Sequence, residues 1–151
     1  MVAHPASVDR GLRHSVDLLA SLKGFRVSCA FGPQHGIRGD VQDNMVESAD
    51  FVDPRLGIPI FSLYGKVRKP TPEMLGACDL IVYDLQDVGC RIYTYVTTLL
   101  YLLQAASESQ KEMWVLDRPN PAGRAVEGSL LRSGFESFVG CGPLPMRHGL
   151  T

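Results

Sequence analysis

LIVYDLQDVGCRIYTY, residues 80–95, changes character in its middle, and that change decides the fold. Leu80-Ile81-Val82-Tyr83 is an unbroken apolar run. Such a run suits a strand covered on both faces, as in a parallel sheet flanked by helices. Asp84, Gln86, Asp87 and Arg91 then crowd the point where the strand should end, and Gly89 lets the chain turn. Ligands of open α/β sheets sit just beyond the carboxyl ends of strands. Two acids, an amide and a guanidinium delivered there mark a candidate site. A polar loop with a helix cap would use the same residue types, so spacing alone leaves both readings open.

The flanking chain fits a strand–helix alternation. Val2-Ala3 reads as a strand tail and His4-Pro5-Ala6 as the loop leaving it. Leu12, Val16, Leu19 and Leu22 recur at helical spacing, predicting a helix over 10–22 with Ser7 or Asp9 as cap and Gly24 ending it. Phe25 to Phe31 reads as the next strand, joined by a right-handed crossover. Gly32 to Asp50 is a long polar loop with Phe31, Ile37, Val41 and Met45 as apolar anchors. Ile58 to Leu63 is a further strand, with Pro59 at an edge or strand start. Thr71-Pro72 opens a short helix ending near Gly76. Thr94 to Glu108 is the longest predicted helix, lined by Leu99, Leu100, Leu102, Leu103 and Ala106, and Met113 to Leu116 a last strand. After Ala122 the text is glycine-rich, with Glu127, Phe138 and the segment Pro143 to His148 reading as loops or short strands closing over a site. The expected fold is α/β, a Rossmann-like, mostly parallel sheet with helices on both faces. Val2-Ala3 as a strand tail, and an end at His148-Gly149-Leu150-Thr151 without a closing element, lead us to expect a domain cut at both ends.

Bulk properties exclude several classes. The 151 residues suffice for one domain with a real core. Net charge is −1 with no clustered Lys and Arg, which argues against nucleic acid or an anionic membrane as partner. No apolar run approaches the roughly 20 residues of a membrane span. The four cysteines form no CxxC pair, so no zinc site is expected, and Cys29 and Cys78 read as buried small hydrophobes.

Three polar clusters should meet on one sheet edge: Gln34-His35 with Arg38 and Asp40, Asp84 to Arg91, and Asp117-Arg118 with Asn120. No glycine fingerprint for phosphate follows a strand, no paired-histidine motif suggests metal, and no GxSxG offers a serine nucleophile, so no cofactor is expected. Cys90 beside Arg91 reads as a small residue packed under the loop. What remains is carboxylate and amide chemistry on a polyhydroxylated substrate. Asp84, Asp87, Asp117 and Glu47 are the available acids, and Arg38, Arg91 and Arg118 are suited to a substrate carboxylate.

FGPQHGIRGD, SLYGKVRKPTPEML, YDLQDVGCRIYTY, VLDRPNPAG, VEG and PMRHGLT, in this order, resemble the bacterial DUF1343 family of exo-β-N-acetylmuramidases. The resemblance runs over nearly the whole chain and implies the Rossmann-like first domain of a longer protein, lacking its opening strand and C-terminal domain. It implies hydrolysis of terminal, non-reducing N-acetylmuramic acid from peptidoglycan fragments, in a cleft on this domain. The family loop reads Pro-Glu-His-Gly, its glutamate being the proposed acid; here Gln34 stands in that place, and glutamine exchanges no proton at neutral pH. This leaves three readings: another acid, substrate assistance by the 2-acetamido group, or sugar binding without cleavage. The catalytic candidates are Gln34, His35, Asp84 and Asp87. The substrate-contact candidates are Arg38, Gln86, Arg91, Tyr93, Asp117, Arg118, Asn120 and His148, with a muropeptide or muramyl disaccharide as partner.

Overall fold

The computed structural model describes residues 1–39 and 47–150. Asp40, Val41 and Met45, named above, lie outside the described residues, as does Thr151.

A six-stranded sheet organises the domain, in the order β3-β4-β2-β1-β5-β6. Its strands are β1 (Val2–Ala3), β2 (Ala30–Gly32), β3 (Phe51–Val52), β4 (Pro59–Ser62), β5 (Leu80–Asp84) and β6 (Glu112–Val115). All neighbours pair in parallel except β3, which lies antiparallel on β4 at one edge. A separate antiparallel hairpin joins β7 (Glu127–Leu130) to β8 (Pro145–Arg147). Three helices complete the fold: α1 (Ser15–Ser21), α2 (Pro72–Gly76) and α3 (Tyr95–Glu108).

The pleat explains how helices cover both faces. Successive strand side chains point to opposite sides. Val2, Phe31, Ile81 and Tyr83 pack with Leu75 of α2 and with Tyr95, Leu102 and Ala105 of α3. Ala3, Ala30, Ile60 and Val82 face the other way, against Val16 and Leu19 of α1. Each large side chain so buried contributes roughly 1.5–3 kcal/mol. The α/β expectation is borne out.

Several boundaries differ from expectation, each for a local reason. The first helix begins at Ser15, not Arg10. Asp9 spends its carboxylate on a turn, accepting from the backbone N–H groups of Gly11 and Arg13, so 9–13 stay in a loop. His14 caps the helix instead of Ser7 or Asp9, and Leu12 is 80% exposed rather than on the apolar face. β2 pairs over Ala30–Gly32 alone, beside a β1 of two residues, and residues 25–29 form no ladder. Leu100 and Leu103 of α3 face outward; Thr97 and Thr98 take the inner positions beside Leu102. β3 follows directly on the long loop, an edge strand too short and too exposed to leave an alternating pattern. By contrast, β5 and the start of α2 lie where the sequence places them: the Thr71 hydroxyl accepts from Met74 N, and Pro72 opens the helix.

Candidate functional site

The strand order reverses beside β1. β2 and β4 continue to one side of it, β5 and β6 to the other. The carboxyl ends of β1 and β5 therefore flank the switch point, the usual ligand crevice of such sheets. His4 follows β1 there, and Asp84 closes β5.

Asp84 is almost fully buried, 1% exposed, and its bonds are taken. Arg118, delivered by the end of β6, grips both carboxylate oxygens, Nε on Oδ1 at 2.7 Å and Nη2 on Oδ2 at 2.9 Å. Ser15 at the start of α1 donates to Oδ2, and the Ser7 hydroxyl donates to the Asp84 carbonyl. Arg118 also reaches the Val8 carbonyl at 3.4 Å. This group ties four segments of the chain together at the switch point.

Asp87 stands differently. Its Oδ1 accepts from the Gly89 N–H at 2.6 Å. His148 Nε2 lies 3.0 Å from the same oxygen but is not aligned as a hydrogen bond. The His148 ring accepts at Nδ1 from Leu150 N, so the neutral imidazole carries its proton on Nε2, toward Asp87. Oδ2 of Asp87 is buried and has no hydrogen-bond partner among the described residues. Buried polar atoms are ordinarily satisfied, so an orphan in a cleft points to a ligand group or a reacting proton. Both residues line a cavity of about 260 Å³ with Leu85, Val96, Leu99 and Leu116. A second cavity of about 290 Å³ adjoins it, sharing Asp117 and Arg118 and adding Asn120 and Arg124. Arg124 is exposed and makes no side-chain bond among the described residues. Another cavity, about 330 Å³, lies at the opposite, amino edge of the sheet, away from these polar groups.

Behind these walls runs a buried polar chain. His4 Nε2 accepts from Gln86 N at 3.2 Å, and its Nδ1 meets the Tyr95 hydroxyl at 3.2 Å. Burial pushes the His4 pKa down to about 4; the Asp84 charge opposes this, and Arg118 and His14 add to it. His4 is thus neutral, with its proton on Nδ1. Burial, reinforced by the Asp87 charge, pushes Tyr83 well up, and its hydroxyl donates to the Tyr95 carbonyl at 2.9 Å. Burial likewise raises Tyr95. Tyr93 packs edge-on against Tyr95, ring centroids 4.9 Å apart, with its own ring half exposed.

The other expected residues scatter more widely. Gln34 follows β2, and its Oε1 accepts from Thr94, the residue capping α3, at 3.3 Å. His35 is exposed and adopts φ +71° in the tight turn Gln34-His35-Gly36. Arg38 pairs with Asp17 of α1 and with Asp53, at 3.1 and 3.3 Å. Arg91 is buried and donates to the carbonyls of Ser129 and Leu144, stapling the β7–β8 hairpin to the end of β5. Gln86 donates to the carbonyls of Asp87 and Pro119. Asn120 donates to the Leu150 carbonyl and accepts from Ala122 N. Gly89, at φ +81°, has the Asn120 carboxamide and the Ala122 methyl where a Cβ would go. Two of the three clusters therefore meet, at Asp84–Arg118; Gln34 touches the α3 cap, and Arg38 serves a separate ion-pair group. His4 and Arg124 join the site without having been singled out by composition or spacing. Their signals are faint: a histidine directly after the central strand, and a cation three residues past a Pro-Asn-Pro turn.

Comparison with known proteins adds the decisive observation. The family described as exo-beta-N-acetylmuramidase NamZ, N-terminal, matches residues 1–151. The chain belongs to this family. It is 45% identical over 152 residues to the peptidoglycan beta-N-acetylmuramidase NamZ of Bacillus subtilis (strain 168), covering 100% of this chain and 36% of that protein. A DUF1343 family protein from Bacteroides fragilis NCTC 9343 superposes with a TM-score of 0.89 at 43% identity, over 99% of this chain and 37% of its own. A second from the same organism gives a TM-score of 0.81 at 34% identity, with the same coverage. The NamZ-family chain thus spans just over a third of the relatives it matches. No helix among its described residues is long and apolar enough to cross a membrane.

Proposed function

We propose that this NamZ-family domain hydrolyses the bond to a terminal, non-reducing N-acetylmuramic acid in peptidoglycan fragments. The observation that carries the reading is the Asp87–His148 pair, whose buried Oδ2 lacks a partner inside an apolar-walled cavity. The name of the Bacillus relative supports the substrate class. Glycoside hydrolysis needs a proton donor at the leaving oxygen and an electron pair at the anomeric carbon. Asp87 is the donor in this reading. Asp84 is assigned a structural role, because Arg118 and Ser15 already occupy its oxygens. Gln34 cannot exchange a proton; in this reading its carboxamide, which accepts from Thr94, orients the 2-acetamido group. That group's carbonyl oxygen then attacks the anomeric carbon as the glycosidic bond breaks and Asp87 protonates the departing oxygen. Water adds to the same carbon and returns the proton to Asp87. Arg124, beside Arg118 in the adjoining cavity, receives the lactyl carboxylate.

Sugar binding without cleavage is the second reading, favoured by Gln34 itself. Incubation with a chromogenic N-acetylmuramic acid glycoside separates the two. Release by the native protein that disappears in Asp87→Asn supports hydrolysis. Release only after Gln34→Glu, with the native protein merely binding the sugar, establishes the binding reading.

A further inference from the structure

The segment between β7 and β8, residues 131–144, joins the two flanks of the carboxyl edge. At its base the hairpin is fixed to the β5 side. Arg91 donates to Ser129 and Leu144 carbonyls, Arg91 N bonds Met146 O at 2.9 Å, and Leu131 N bonds Leu144 O at 3.3 Å. At its far end Phe138 sits on the β4 side. Its ring centroid lies 5.9 Å from that of Tyr64, just past β4, and 6.2 Å from that of Tyr101 on α3. Arg68 lies over this group, 4.0 Å from the Tyr64 ring and 5.5 Å from the Phe138 ring, with its guanidinium held by the Gly65 carbonyl at 2.7 Å. β5 and β4 are separated by β1 and β2, about 14 Å at ordinary strand spacing. A short turn closed by Ser137 and Gly140 sets Phe138 at the tip. Residues 132–137 are exposed, so the far end is fastened from Phe138 onward, by the aromatic group and the buried Gly140 and Cys141.

An enzyme that removes single terminal residues needs a wall against a longer chain, because an open groove accepts sugars on both sides of the scissile bond. We propose that the 131–144 strap, fastened by Phe138 beneath Arg68, is that wall and confines the substrate to one terminal sugar. This inference rests on the muramidase reading above. Phe138 acts here as a specificity-determining residue, remote from the reacting atoms. Loosening it should open the groove without touching Asp87 or Gln34.

The test compares native protein, Phe138→Ala, Phe138→Tyr and a strap with residues 133–136 replaced by two glycines. Each is given the chromogenic glycoside and a muramic oligosaccharide capped at its non-reducing end by N-acetylglucosamine. The expected result is glycoside turnover retained in all four, with capped-chain cleavage rising about tenfold or more in Phe138→Ala and the shortened strap but not in Phe138→Tyr. Retained glycoside turnover with capped chains still refused by both loosened forms overturns the strap as the wall. Should the native protein turn over no glycoside, the hydrolase reading fails. The strap is then read by calorimetric affinity: a native preference for the uncapped oligosaccharide that both loosened forms lose supports it, and equal affinities in native and loosened proteins overturn it.

Discussion

Asp84 and Asp87 leave the same strand three residues apart and are treated in opposite ways. The Asp84 carboxylate is held by Arg118 and Ser15, which between them engage both of its oxygens. Asp87 has one oxygen held by Gly89 and close to His148, and a second that is buried without a partner. The first carboxylate stabilises the switch point; the second keeps an unspent capacity for hydrogen bonding. Density of charge at a strand end does not distinguish them. What distinguishes them is how many of their lone pairs the fold itself consumes.

The sharpest way to break this contrast is Arg118→Ala. It strands the Asp84 carboxylate at 1% exposure without its cation. Removing one member of a buried pair costs about 3–5 kcal/mol, so the urea midpoint should fall steeply. Asp84→Asn should cost less, because Arg118 is 30% exposed and can regain water. Asp87→Asn should do the reverse: turnover of the muramic glycoside falls about 10²–10⁴-fold while stability, read by thermal melting, changes by about 1 kcal/mol or less. A large stability loss at Asp87 with activity intact would place it beside Asp84 as a structural residue.

A pH series probes the shared support beneath both acids. His4 titrates near 4 when folded and near 6.5 in the unfolded chain, so below 6.5 the unfolded state takes up a proton that the native state refuses. Stability should therefore drop as pH falls from 6.5 toward 4, by roughly 1.5 kcal/mol between 6.5 and 5, and flatten only below 4. Urea midpoints across that range check it, and His4→Gln, which cannot titrate, should lose most of the slope. Asp17, held down to about 2 chiefly by Arg38 and also by Arg55, adds a lower window between 3.8 and 2. The smallest effect is expected for Gln34→Glu. A carboxylate still accepts from Thr94, so stability should stay within about 0.5 kcal/mol by thermal melting while activity reports the added acid.

Much of the frame is legible in the sequence because it rests on unbroken patterns. Leu80 to Tyr83 suits only a doubly covered strand, and Thr71-Pro72 only a helix start. Ser7 and Asp9 mislead because short polar side chains serve caps and turns alike; here one bonds the end of β5 and the other closes a local turn. Within the site, residue type shows which groups could act but not which are already engaged. Arg38 and Arg91 have the chemistry to hold a carboxylate, yet one sits in an ion pair and the other on backbone carbonyls. Partnership across the chain is a property of the folded geometry. His4 is silent in the sequence for the same reason: its meaning comes from Gln86 and Tyr95, residues far from it along the chain.

Gly89 bears on variation among such domains. The side chain it lacks is replaced by Asn120 and Ala122, so two walls of the crevice touch through an empty position. Any substituent there acts as a wedge, spreading the loop that carries Asp87 from the loop that carries Arg118. The width of the cleft is thereby set at a residue with no side chain of its own, where a methyl group would reshape what the pocket admits without replacing any reactive group.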